Sequence, residues 1–187
     1  MNADSNRRRG NPRACRRHPA AATAKMRAVP NERAAADRPP DVSAGAAFRW
    51  NVRVYYEDTD AGGIVYYANF LKFFERCRTE WLRACGVDQH AMATGGGVQF
   101  VVTSAQVDYL RPARLDDELL IEARIVAARR ASLVFGQGAW RDGVELARGR
   151  VAVAAVDVRS LAPVRLPDGL LEKAAAVAAR APGHGPG

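Results

Sequence analysis

The chain has 187 residues, 48% of them apolar, and a formal charge of +8. That is enough for one hydrophobic core, and no run approaches the ~20 apolar residues of a membrane-spanning helix. The charge is local: residues 1–47 hold ten Lys/Arg and four acids, +6, which leaves +2 for the other 140 residues and argues against a basic nucleic-acid surface on the folded part.

Residues 1–47 are rich in Ala, Arg and Pro and show no hydrophobic period, so they read as a disordered tail. No apolar stretch follows Arg7-Arg8-Arg9, which removes a twin-arginine signal. Two readings remain: a basic arm for nucleic acid or a membrane surface, and a dispensable tail ahead of a natural start at Met26 or later. No aromatic residue precedes Phe48 to stack on bases, which favours the second.

At Phe48 the pattern changes. Phe48, Trp50, Val52, Val54 and Tyr56 alternate with Arg49, Asn51 and Arg53, the signature of a half-buried strand. An acidic loop follows, Glu57-Asp-Thr-Asp60, then Gly62 and Gly63. Phe70, Phe73, Phe74, Cys77, Trp81 and Cys85 then recur at helical spacing, with Lys72, Arg76, Arg78, Glu80 and Arg83 assigned to the opposite face. Asn69 is the expected N-cap and Gly86 the expected stop. His90 reads as a surface or turn residue and Gly95–Gly97 as a turn. Strands are predicted over Val98–Tyr109, Glu118–Ala128, Ser132–Arg141 and Val144–Val158, with Leu119, Ile121, Ala123, Ile125 and Ala127 on one face. Asp142-Gly143 signals a two-residue hairpin. Pro167–Ala181 has a weak helical pattern and Gly183–Gly187 reads as a frayed end. One helix and an antiparallel sheet make an α+β fold, and its bare sheet edges call for a second copy. The domains are 1–47 (tail), 48–166 (folded domain) and 167–187 (C-terminal extension).

The chemistry concentrates before the helix. Asp58 and Asp60 precede a helix N-terminus, where backbone N–H groups are unspent and the helix dipole is positive. A carboxylate and N–H donors on one loop can serve acyl transfer, as base or nucleophile and as a carbonyl-oxygen site. Asp60 can equally close an Asx-turn, and Asp58 reads as a hydrogen-bonding loop residue. A calcium loop does not fit, because Asn69 occupies the position that requires Glu. Gly62 and Gly63 allow close approach of a ligand to the backbone. Glu75 and Glu80 read as surface pairs. Cys15, Cys77 and Cys85 are odd in number and lack metal-site spacing. They suit a reducing cytoplasm, with Cys77 as a small buried hydrophobe.

The stretch Tyr55–Arg83, with Val107-Asp-Tyr-Leu-Arg-Pro-Ala-Arg-Leu-Asp-Asp117 and Arg129-Arg-Ala-Ser-Leu-Val-Phe135, resembles the hotdog-fold acyl-CoA thioesterases. The nearest subgroup is the YbgC-like, Tol–Pal-associated one, and the 4-hydroxybenzoyl-CoA thioesterases are wider relatives. The resemblance covers about 48–166. It implies a sheet around one long helix, dimers or tetramers with sites at subunit interfaces, and hydrolysis of an acyl-CoA without metal or cofactor, CoA being part of the substrate. It makes Asp60 the essential carboxylate and the Tyr67 backbone N–H the carbonyl donor. Gly62 and Gly63 adjoin the substrate, and Arg129 and Arg130 hold the CoA phosphates. Solvated edge charges are the plainer reading of these two arginines. Two departures stand out: Ala131 occupies a position that is basic in some relatives, and Tyr67 one that can be His. The implied partners are an acyl carrier protein or Tol–Pal envelope machinery, with a cytoplasmic location at or near the inner membrane. The rival reading is a non-catalytic hotdog module that binds such a partner.

Overall fold

The computed structural model describes residues 47–179. The expectations for the basic tail, a start at Met26, Cys15 and the 183–187 end lie outside the described residues. Eight principal elements follow in order: β1 (Phe48–Arg53), α1 (Asn69–Ala84), α2 (Gln89–Gly96), β2 (Val98–Tyr109), β3 (Glu118–Arg129), β4 (Ser132–Arg141), β5 (Val144–Asp157) and α3 (Leu170–Ala179). β2 to β5 match the predicted spans to within one residue at each end. β1 is shorter than its alternation suggested, because a 3-10 turn at Tyr56–Asp58 takes the chain off the sheet.

The five strands form one antiparallel sheet in the order β1-β3-β4-β5-β2. Asp142 and Gly143 both have positive φ, 51° and 75°, as the expected two-residue hairpin turn requires. A bulge between Ile125 and Ala127 breaks the clean alternation read for β3, and Ala127 ends up exposed. β1 and β2 are the two sheet edges. β2 is the long one, with exposed residues from Val102 to Ala105.

α1 packs on β1, β3 and β4. Its buried stripe is Phe70, Phe73, Phe74, Cys77 and Trp81, as the period demands. Phe73 and Phe74 are fully buried, so truncating either to Ala costs about 3–5 kcal/mol. Gly149 of β5 lies under Phe74: a Cβ there would sit 2.9 Å from the Phe74 ring. Arg78 departs from the expected polar face. It is buried, donates from Nη1 to Gln137 Oε1 at 2.5 Å, and Gln137 Nε2 donates to the Phe74 carbonyl at 2.9 Å. Position 78 falls on the margin of the apolar stripe, and the β4 glutamine supplies the acceptor that burial demands. Burial pulls the Arg78 pKa below its ordinary value.

Gly86 ends α1 as expected, with φ 70°, its N–H on the Arg83 carbonyl and the Val87 N–H on that of Leu82. The helix α2 is not among the predicted elements; it runs up to Gly96, inside the Gly95–Gly97 stretch expected as a turn. Its start signal is Asp88, whose carboxylate accepts the Ala91 N–H, but the glycine run masks the helix that follows. His90 is exposed, as read. α3 begins at Leu170, three residues after Pro167, and its Leu170 and Ala174 share a core cluster with Trp81, Leu82 and Cys85. Cys77 and Cys85 are buried free thiols, and burial pushes both pKa values up. Among the described residues, no helix is long and apolar enough to cross a membrane.

Candidate active site

The loop between β1 and α1 is pinned at its base. The Val54 N–H donates to the Asp117 carbonyl at 2.9 Å, and the Asp116 N–H donates to that of Val54 at 3.1 Å. At its far end, the Val65 N–H donates to the Ala113 carbonyl at 2.8 Å. Between these anchors residues 60–64 make a tight turn: the Asp60 N–H bonds the Ile64 carbonyl and the Gly63 N–H bonds that of Asp60, both at 2.9 Å. Gly63 takes φ 70°, which explains a glycine there.

The two aspartates have different positions and partners. Asp58 is 2% exposed. Its Oδ2 accepts the Tyr55 N–H at 3.0 Å. Its carbonyl accepts both the Tyr66 N–H at 2.8 Å and Asn69 Nδ2 at 2.9 Å. Asp58 therefore holds the loop together, as its loop reading anticipated. Asn69 is not the N-cap; Ala68 is, and the Asn69 amide is spent on the loop instead. Asp60 is exposed. Its Oδ1 accepts the Gly62 N–H at 2.8 Å, and among the described residues its other oxygen accepts no hydrogen bond.

Beside Asp60 the chain turns into α1. The N–H groups of Asn69, Phe70 and Leu71 bond the carbonyls of Tyr66, Tyr67 and Ala68. The N–H groups of Tyr67 and Ala68 have no partner among the described residues, and Tyr67 is 58% exposed. Aromatic rings wall this spot: Tyr67 lies 4.6 Å from Tyr66 and 6.0 Å from Tyr109, which lies 5.8 Å from Phe70. The Tyr66 phenol is pushed above its ordinary pKa, first by its hydrogen bond to Tyr67, then by the charge of Tyr67, burial and the negative charge of Asp60. The Asp60 carboxylate thus lies within electrostatic reach of the Tyr66 phenol. An accessible carboxylate near unspent N–H donors can serve a carbonyl substrate from two sides. The aromatic wall and the Asn69 brace escaped the sequence reading. Tyr109 is forty residues away in sequence, and Asn69 looked like an ordinary cap.

Asp60, Gly62 and Gly63 share one tight turn, and Tyr67 follows just before α1; Arg129 and Arg130 do not join them. The loop is pinned to the residues that lead into β3, whereas Arg129 is the last residue of β3 and Arg130 lies in the turn to β4. A twelve-residue strand separates the two ends, roughly 35 Å at its usual rise. Glu75 accepts a hydrogen bond from Thr79 Oγ1 at 2.7 Å and Glu80 pairs with Arg83, both on the helix surface. Among the described residues, no three His, Cys, Asp or Glu gather as a metal site.

Comparison with known proteins gives the same direction. The profile of the Thioesterase superfamily matches residues 62–148. The Haemophilus influenzae "Acyl-CoA thioesterase YbgC" is 42% identical over 120 residues, which are 64% of this chain and 88% of that protein. The Escherichia coli O6:H1 "Acyl-CoA thioester hydrolase YbgC" is 46% identical over 125 residues, 66% of this chain and 92% of its own length. A Bartonella henselae crystal structure described as a "Probable Thioesterase" superposes with a TM-score of 0.63 at 34% identity, covering 65% of this chain and all of that one. At such identities, across nearly the full length of the relatives, the chain belongs to the hotdog-fold thioesterase superfamily and, within it, to the YbgC-like acyl-CoA thioesterases.

Proposed function

We propose that this enzyme hydrolyses an acyl-CoA to a free acid and CoA with Asp60 as the working carboxylate. The observation that carries the assignment is an exposed Asp60 on the loop that leads into α1, where the Tyr67 N–H has no partner among the described residues, while a different aspartate holds the loop. The thioester carbonyl oxygen points at the Tyr67 N–H, at the positive end of α1. Asp60 acts on the carbonyl carbon by one of two routes. As a base it takes a proton from an attacking water. As a nucleophile it forms an anhydride and expels CoA thiolate, which is protonated, and water then releases the acid. Gly62 keeps the carboxylate oriented and leaves room beside it. Arg129 and Arg130 hold the CoA phosphates. The named activities of the Haemophilus and Escherichia relatives support the substrate class. The free thiols Cys77 and Cys85 go with a reducing, cytoplasmic setting.

The site is shared between two copies. The Tyr109 end of β2 adjoins Tyr67, while its Val98 end pairs with Asp157, at the end of the sheet that carries the Arg129–Arg130 turn. Antiparallel pairing of two β2 edges about a twofold axis sets the Asp60 loop of one copy at the arginine end of the other. Only about three strand spacings, ~15 Å, then lie between the edge of one copy and β4 of its partner. Within one chain the separation is more than twice that. β2 suits the role because it is a long edge with Val102 54% exposed, whereas the β1 edge carries ion pairs from Arg49 and Arg53.

The test is Asp60→Asn beside Asp58→Asn. Asn can still accept the Gly62 N–H, so Asp60→Asn should keep its melting temperature and lose at least about 10²-fold in kcat. Asp58→Asn keeps an acceptor but buries an amide with hydrogens to place, so it should lose about 1–3 kcal/mol of stability and be clearly milder in kcat. Near-normal turnover in Asp60→Asn would sink the assignment.

A further inference from the structure

The β3–β4 turn offers two arginines and then Ala131, which carries no charge. A third cation nevertheless reaches the same place from elsewhere in the chain. After β5 the segment 158–167 runs back along the sheet. The Val164 N–H donates to the Ala155 carbonyl and the Leu166 N–H to the Arg130 carbonyl, each at 2.9 Å. Leu166 is buried in the core beside Leu170. Arg165 sits between these two fixed residues, is itself exposed, and lines with Arg129 and Arg130 one open groove of about 640 Å³. None of the three is in an ion pair among the described residues. Asp168, just ahead of α3, and Glu172, in its first turn, line the same groove. The charged side chains that line it therefore sum to +1 (three arginines, two acids).

We propose that Arg165 is a third phosphate-binding residue for the CoA part of the substrate, standing in for the side chain that Ala131 does not provide. This rests on the assignment of Arg129 and Arg130 above and adds a residue that lies outside the turn. Three guanidinium groups lining one groove suit a ligand with a diphosphate and a third phosphate, because each phosphate can take a forked, charge-assisted pair. The backbone bonds of Val164 and Leu166 hold the Arg165 main chain in place, so less freedom is lost on binding.

The experiment is calorimetric titration of the full-length protein with CoA, with pantetheine as the phosphate-free control. Arg165→Ala should weaken CoA binding about tenfold or more, as should Arg129→Ala and Arg130→Ala. Pantetheine binding and melting temperature should not change, and added salt should shrink the difference. Arg165→Gln, a second neutral variant, should behave like Arg165→Ala. The double variant Ala131→Lys, Arg165→Ala should recover most of the lost affinity. Wild-type CoA affinity in Arg165→Ala, with Arg129→Ala and Arg130→Ala weakened, overturns the role of Arg165 and leaves the turn assignment intact. Unchanged affinity in all three single variants overturns both. A loss in Arg165→Ala that extends to pantetheine, or that Ala131→Lys does not restore, marks a structural effect and overturns the proposal.

Discussion

At the scale of single residues, the loop separates two jobs that its sequence presents as near equals. Asp58 and Asp60 are two positions apart, yet one is sealed under backbone donors and the other faces solvent. Under the proposed function, Gly62 is the residue that leaves the Asp60 carboxylate in place. A Cβ at Gly62 would lie 3.0 Å from Asp60 Oδ1, too close for the carboxylate to stay where it is. The Gly62 backbone is not in the left-handed region, so alanine there costs little conformationally. Gly62→Ala should therefore fold with a melting temperature near that of wild type while kcat falls by about tenfold or more, since small displacements of a reacting group are costly. Unchanged kcat would show that the carboxylate can turn aside freely. The Asp-x-Asp loop was legible in the sequence because acid, glycine and helix start are contiguous. What the sequence could not supply was the difference in burial, which depends on the Asn69 side chain and on the Ala113 and Asp117 carbonyls that brace the loop.

At the scale of elements, α1 and the sheet fix each other through a close approach. Phe74 lies over Gly149, whose own Cβ position is also only 3.3 Å from the Gln106 carbonyl. Gly149→Ala should force the ring or the strand to shift and cost about 1–3 kcal/mol, measured by urea or thermal unfolding. An unchanged unfolding midpoint would mean that the helix rides loosely on the sheet. Such a shift would reach the site, because α1 carries Phe70 against Tyr109 and starts at the loop. The strands were readable because their alternation is strict and their turns have strong chemistry, as at Asp142-Gly143. The elements misread share one cause, namely that local pattern was overruled from a distance. β1 is cut short by the turn that buries Asp58. The β3 alternation slips at a bulge before the arginine turn. The start of α3 is set by where Leu170 meets Trp81 and Leu82, not by Pro167. The weakest local pattern, α2, depends on a single capping aspartate ahead of three glycines.

At the scale of the whole molecule, the carboxylate loop and the arginine turn lie at opposite ends of one sheet. Bare sheet edges in the sequence pattern predict a second copy, and which residues the proposed pairing would bring together follows from strand order, which the sequence pattern does not give. Mixing two defective proteins tests it. Asp60→Asn lacks the carboxylate, and the double variant Arg129→Ala, Arg130→Ala lacks the proposed phosphate clamp. In a mixed dimer one of the two shared sites is intact, so an equal, re-equilibrated mixture should regain about a quarter of wild-type activity at low substrate. Activity no higher than the sum of the separate proteins would place the whole site within one chain. The same geometry governs inheritance. A chain that carries both defects spoils the two sites of any dimer it enters, its carboxylate missing from one and its arginines from the other. Co-produced with wild type, that allele should act as a dominant negative. A chain with one defect leaves half the sites of a mixed dimer working, so in a cell it should pass as nearly recessive.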